Sequence, residues 1–168
     1  MVTAEKSRRI AKYAFEYAVS ANRKKITCVH KANIMKMVDG EFLKAAKEVA
    51  EDFPQIKFES MIVDATCMNL TLHPQSFDVM LLPNLYGSII GSIVSGLVGG
   101  PGVCPGTNIG HNNAIFEQGA RHTAEDLVEA NTANPTGLIL SSVMMLRHLK
   151  LPHFAEILQS AVFQTIKD

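Results

Sequence analysis

Ser88 and Ser92 stand four residues apart in the run Pro83-Asn84-Leu85-Tyr86-Gly87-Ser88-Ile89-Ile90-Gly91-Ser92. On a helix that spacing puts both side chains on one face, where they can reach one ion. Carboxylates so placed would suit magnesium, a hard cation that takes oxygen ligands. A serine hydroxyl can touch such an ion but does not neutralise its charge. Replacing two carboxylates by two hydroxyls should therefore weaken metal binding by several kcal/mol. Two other groups carry chemistry. Lys31 lies in the block His30-Lys31-Ala32-Asn33-Ile34-Met35-Lys36, and Asp64 follows the strand-like run 56–63. Taken alone, Lys31 reads as a surface lysine after a strand. Asp64 reads as the N-cap of the next helix, a role compatible with metal binding if one oxygen does each.

The elements that must position these residues alternate helix and strand. Thr3 can cap a first helix, with Ile10, Ala14, Tyr17 and Ala18 on its apolar stripe and Arg8, Arg9, Lys12 and Glu16 on its wet face. Asn22-Arg23-Lys24 is a turn, and Lys25 to His30 reads as a strand of β-branched and small residues. Asp39 is expected to cap a second helix, whose stripe of Phe42, Leu43, Ala46, Val49, Ala50 and Phe53 ends at Pro54. A short helix is expected over 65–72 and a buried strand over 77–82. Asn134-Pro135 marks another helix start, with Asn at the cap and Pro in the first turn, and Pro152 opens a last helix to about residue 166. This alternation predicts an α/β architecture.

Composition narrows the class. The chain has 168 residues, 47% of them apolar, enough for a sizeable core. Sixteen basic residues balance sixteen acidic ones, which gives no electrostatic footprint for nucleic acid or an anionic membrane. Cys28, Cys67 and Cys104 are scattered and form no C-x-x-C pair, as in a reducing compartment. Asn69-Leu70-Thr71 matches a glycosylation sequon, read as chance because the N-terminus shows no secretory signal. From Val79 to Phe116 there is no Asp, Glu, Lys or Arg. Gly87-x-x-x-Gly91 inside that stretch allows close helix packing, in a membrane or in a core or subunit interface. Pro83, the 99–102 Gly-Gly-Pro-Gly run and Pro105 leave too few uninterrupted residues for a span of about 20, so the core or interface reading is preferred. There is no G-x-G-x-x-G after a strand, no Walker loop and no G-x-S-x-G elbow.

The blocks 30–36, 83–87, 97–102 and 134–136 together resemble the metal-dependent decarboxylating dehydrogenases of β-hydroxy acids, closest to NAD-dependent isocitrate dehydrogenase. The resemblance covers essentially the whole chain. It implies an isocitrate/isopropylmalate dehydrogenase-like α/β fold, present in part: residues 1–98 as the small domain with dimer-interface helices, and 99–168 as part of the large domain with the cofactor-loop region. Catalytic family members carry aspartates where this chain has Ser88 and Ser92. By resemblance, Lys31 reaches a partner's substrate and helps proton transfer, Asn33 serves the partner's site, and Asp64 completes the partner's metal site. The chain thus keeps what it would lend and lacks what it would use itself, as expected of a non-catalytic, regulatory-type subunit.

A second departure lies after Phe116-Glu117. Catalytic members have a His-Gly-Thr-Ala-Pro-Asp loop beside the adenosine, whereas this chain continues Gln118-Gly119-Ala120-Arg121-His122-Thr123-Ala124-Glu125-Asp126. The Gly119-x-Arg121-His122 pattern resembles non-catalytic subunits of the mitochondrial heteromeric enzyme. Arg121 could pair with a phosphate or carboxylate, or be a solvated loop arginine. His122 could line a ligand or simply satisfy the loop. Asn134 matches a family position near the adenine, yet its capping role needs no nucleotide. The resemblance implies NAD and magnesium or manganese in an assembled hetero-oligomer with a catalytic subunit, and neither bound by this chain alone. It also implies a mitochondrial matrix location, with any targeting peptide upstream, and a chain truncated at both ends. An active dehydrogenase of a related β-hydroxy acid and an inactive truncated fragment are the competing readings.

Overall fold

The computed structural model describes residues 2–119 and 124–168. They form two compact units, 1–91 and 92–168.

The first unit is built on a three-stranded parallel sheet of order β2-β1-β3. These strands are β1 (Lys25–His30), β2 (Lys57–Ile62) and β3 (Val79–Leu81). The central strand is buried from Ile26 to His30, as a parallel strand flanked on both edges should be. Three helices complete the unit: α1 (Ala4–Ser20), α2 (Val38–Ala50) and α3 (Val63–Leu72). A fourth, α4 (Asn84–Val98), starts within it. The Thr3 hydroxyl accepts the Lys6 N–H at 3.3 Å, so Thr3 caps α1 as its residue type predicts.

The core joins Ala11, Phe15 and Ala18 of α1 to Ile26 and Cys28 of β1 and to Phe42, Ala46 and Val49 of α2. Phe15 is fully buried and stacks on Phe53 and Phe58, with ring centroids 5.2 and 6.1 Å away. At the sheet's N-terminal edge Asp78 accepts the backbone N–H groups of Lys24 (2.7 Å) and Lys25 (3.2 Å) and pairs with Arg23. The carboxylate thereby ties the start of β1 to the residue before β3. These donors, the Lys24 N–H foremost, hold its carboxyl below the usual aspartate range.

The caps expected at Asp39 and Asn134 differ from the sequence reading. Asp39 does not cap α2: that helix starts two residues earlier than such a cap implies, at Val38 after Met37, and the Asp39 side chain is drawn to partners elsewhere. The helix at Pro135 begins at Thr136, but Asn134 still does the capping work, its Oδ1 accepting the Thr136 N–H at 3.0 Å.

The second unit pairs β4 (Pro105–Ile109) with β5 (Ala114–Gln118) in an antiparallel hairpin. The hairpin packs on α5 (Thr136–His148), which in turn packs on α6 (Pro152–Lys167). Ser141 of α5 is fully buried, accepting the Gly106 N–H at 3.2 Å and donating to the Glu117 carbonyl at 2.5 Å. Helix and hairpin meet so closely at Gly137 that a Cβ there would lie 2.8 Å from the Cys104 carbonyl oxygen. Among the described residues no helix is long and apolar enough to cross a membrane.

Candidate functional site

The parallel pairing of β1 with β2 brings Lys31 and Asp64 together. The register sets His30 opposite Ile62, so both strands end level. Lys31 follows directly on β1, and Asp64 enters the first turn of α3 two residues after β2. Functional groups in parallel sheets collect at this carboxyl-terminal edge. Lys31 Nζ donates to Asp64 Oδ1 at 2.5 Å. The Lys31 side chain is 26% exposed and that of Asp64 61%. The pair therefore stands at the surface, open to an approaching group. Hydrogen bonding by Lys31, then by its own backbone N–H, holds the Asp64 carboxyl below the usual aspartate range.

The expected capping role of Asp64 is not what the chain uses. Because α3 begins at Val63, Asp64 sits inside the helix, where its charge still favours the positive end of the helix dipole.

The loop carrying Lys31 is fixed from both sides. Asp39 is 4% exposed, and its Oδ2 accepts the Lys31 backbone N–H at 2.6 Å. The same oxygen accepts the Tyr86 hydroxyl at 2.8 Å. Burial, with the bond to Asp39 adding to it, pushes the Tyr86 phenol up to about 12. His30 is 8% exposed, and its Nδ1 accepts the Ala32 N–H at 3.0 Å. Burial lowers the pKa of its imidazole, which favours the neutral ring whose acceptor nitrogen takes that bond. The Lys31 carbonyl receives the N–H groups of Ile34 and Met35, which closes the turn. Asn33 is exposed in that turn, two residues beyond Lys31.

Ser88 and Ser92 lie one turn apart on α4, and both are exposed. Neither carries a charge. Among the described residues no group of three or more His, Cys, Asp or Glu side chains converges as a metal site would require. Among the described residues, one carboxylate already paired with a lysine and two hydroxyls do not fit a magnesium site by themselves. Of the residues expected near a nucleotide, Arg121 and His122 lie outside the described residues, and Asn134 is engaged as a cap. Sequence reasoning missed Asp39 and Tyr86 as parts of the site. No local pattern links them, since they are 47 residues apart.

Comparison with known proteins identifies the family. The family model described as isocitrate/isopropylmalate dehydrogenase matches residues 1–168. The chain is 52% identical over 165 residues to the mitochondrial isocitrate dehydrogenase (NAD) regulatory subunit 1 of Arabidopsis thaliana, covering 96% of this chain and 45% of that protein. It is 53% identical over 167 residues to the beta chain of mitochondrial isocitrate dehydrogenase (NAD) of Bos taurus, covering 99% of this chain and 43% of that one. The crystal structure of isocitrate dehydrogenase from Methylococcus capsulatus superposes with a TM-score of 0.96 at 43% identity, over 100% of this chain and 49% of that one. The chain spans about half the length of the curated relatives it matches.

Proposed function

We propose that this chain, which belongs to the isocitrate/isopropylmalate dehydrogenase family, acts as a regulatory subunit of a mitochondrial NAD-dependent isocitrate dehydrogenase. In this reading it completes the site of a catalytic partner and runs no site of its own. One observation carries the proposal. Lys31 and Asp64 stand side by side at an exposed sheet edge, whereas the α4 positions that the family resemblance assigns to metal-binding carboxylates carry the uncharged Ser88 and Ser92.

Oxidising a hydroxy acid beside a carboxylate gives a β-keto acid, and loss of carbon dioxide leaves an enolate. A divalent cation, magnesium or manganese, polarises the new carbonyl and stabilises that enolate. In the assembled enzyme the catalytic chain would supply most of the metal's ligands and bind NAD. This chain's Asp64 would add a carboxylate to the metal, Lys31 would move a proton, and Asn33 would face the substrate. Docking would part the Lys31–Asp64 pair, because each group turns to a new partner in the completed site. The exchange is feasible because the pair is exposed and such pairs contribute little. Exposed apolar side chains on α3 (Met68, Leu72) and α4 (Leu85, Ile89) suit a chain that works in contact with another. The mitochondrial relatives support a matrix location. Arg121, His122 and Asn134 are proposed for the nucleotide-facing side.

Assaying the full-length protein for isocitrate-dependent NADH formation, alone and co-purified with a catalytic subunit, tests the proposal. No turnover alone and turnover in a stable complex are expected. Turnover by the protein alone would favour an active dehydrogenase. Failure to form any complex would overturn the regulatory-subunit reading.

A further inference from the structure

Asp39 is a buried carboxylate that the function proposed above does not use. Burying a carboxylate is costly unless hydrogen bonds replace its water. Here the bonds run to the Lys31 backbone N–H at 2.6 Å and to the Tyr86 hydroxyl at 2.8 Å. Both reach the same oxygen, and neither donor belongs to the helix that carries Asp39. A residue of cap-forming type at a helix start has thus been spent on two distant partners.

Those partners matter by their positions. Lys31 is the group that would be lent, and Tyr86 lies in the first turn of α4, two residues before Ser88. We infer that Asp39 is a positioning residue: its carboxylate, braced by Tyr86, sets where Lys31 stands relative to α4 and so where its ammonium is presented to the partner's substrate. The inference rests on the lending role of Lys31 proposed above.

The geometry gives the mechanism. A lysine side chain is long and flexible, so its reach is set by where its backbone is held. The bond at 2.6 Å is short and charge-assisted, the strong kind. His30 Nδ1 grips the next N–H but one, that of Ala32. With both bonds made, the first residues of the loop are held at the sheet edge. Releasing the Lys31 N–H would move the root of the side chain, and misplacement of about 1 Å can cost a hundredfold in rate.

A double-mutant cycle in the full-length complex tests this. Asp39→Asn and Tyr86→Phe should each lower kcat by roughly tenfold, with the complex still formed. In a Lys31→Ala background neither should lower it further, because the effect passes through that side chain. A merely structural role would give losses that add, and additive losses would overturn the inference. A second readout uses no turnover. Asp39→Asn should raise the titration of the Asp64 carboxyl, followed by carbon-13 NMR, as the Lys31–Asp64 bond loosens; an unchanged titration would overturn the inference as well. If Lys31→Ala leaves the rate unchanged, the lending role has failed, and the Asp64 titration alone decides whether Asp39 positions Lys31. If Asp39→Asn does not assemble, Tyr86→Phe carries both tests.

Discussion

Lys31, in the loop after β1, and Asp64, in the first turn of α3 and 33 residues away in sequence, are hydrogen-bonded to each other at 2.5 Å within one chain. The two groups this chain is proposed to lend are therefore stored as a pair, and each is the other's partner until a better one arrives. The pairing has a measurable signature. Its chief cause, the Lys31 hydrogen bond, holds the Asp64 carboxyl below the ordinary aspartate range. A carboxyl lowered on folding contributes stability above its unfolded pKa, and that contribution is lost as pH falls through the folded value. Acidification below the ordinary aspartate range should release Lys31. Lys31→Ala should raise the Asp64 titration towards the ordinary value, as read by carbon-13 NMR; no movement would show that the pair does not form in solution.

The serines of α4 give a second prediction. Ser88→Asp with Ser92→Asp would restore two carboxylates one turn apart on an exposed helix face. In the full-length complex this double variant should bind manganese or magnesium at least tenfold more tightly, since two added charges face one ion. Isothermal calorimetry showing no gain would remove the argument that these serines disable the site.

The lending edge depends on the core beneath it. Phe15 is fully buried between α1 and the sheet and stacks on two further aromatic rings. Phe15→Ala should cost about 3–5 kcal/mol, the range for emptying a large aromatic from a packed core. Urea unfolding of the full-length protein followed by circular dichroism measures the cost. A loss below about 1 kcal/mol would mean that the site relaxes far more than a close-packed interior does.

Periodicity and residue type made much of this fold readable from sequence. The run 25–30 of β-branched and small residues is β1 to the residue. The α2 stripe of Phe42, Ala46 and Val49 is the buried face of that helix, and Pro152 opens α6. The β4–β5 hairpin was not readable, because Pro105, Gly106 and Asn108 are poor strand formers and the strand is held by pairing with 114–118. In the strand expected over 77–82, pairing with β1 extends only over Val79–Leu81.

The site divides in the same way. Lys31, Asp64, Ser88 and Ser92 stand in recognisable blocks and could be singled out one by one. Their geometry could not, because the level ends of β1 and β2 that bring Lys31 to Asp64 are a property of register. Asp39 was misread for a physical reason. The side chain that suits an N-cap also suits a buried acceptor, and only the fold shows that its donors are the Lys31 N–H and the Tyr86 hydroxyl.

The most direct test of the central claim is the rate of isocitrate-dependent NADH formation by the co-purified complex when Lys31→Ala is introduced into this chain alone. An intact complex whose kcat falls at least tenfold is expected, in line with the loss of one proton-transfer group. An intact complex turning over at the unaltered rate would contradict the claim.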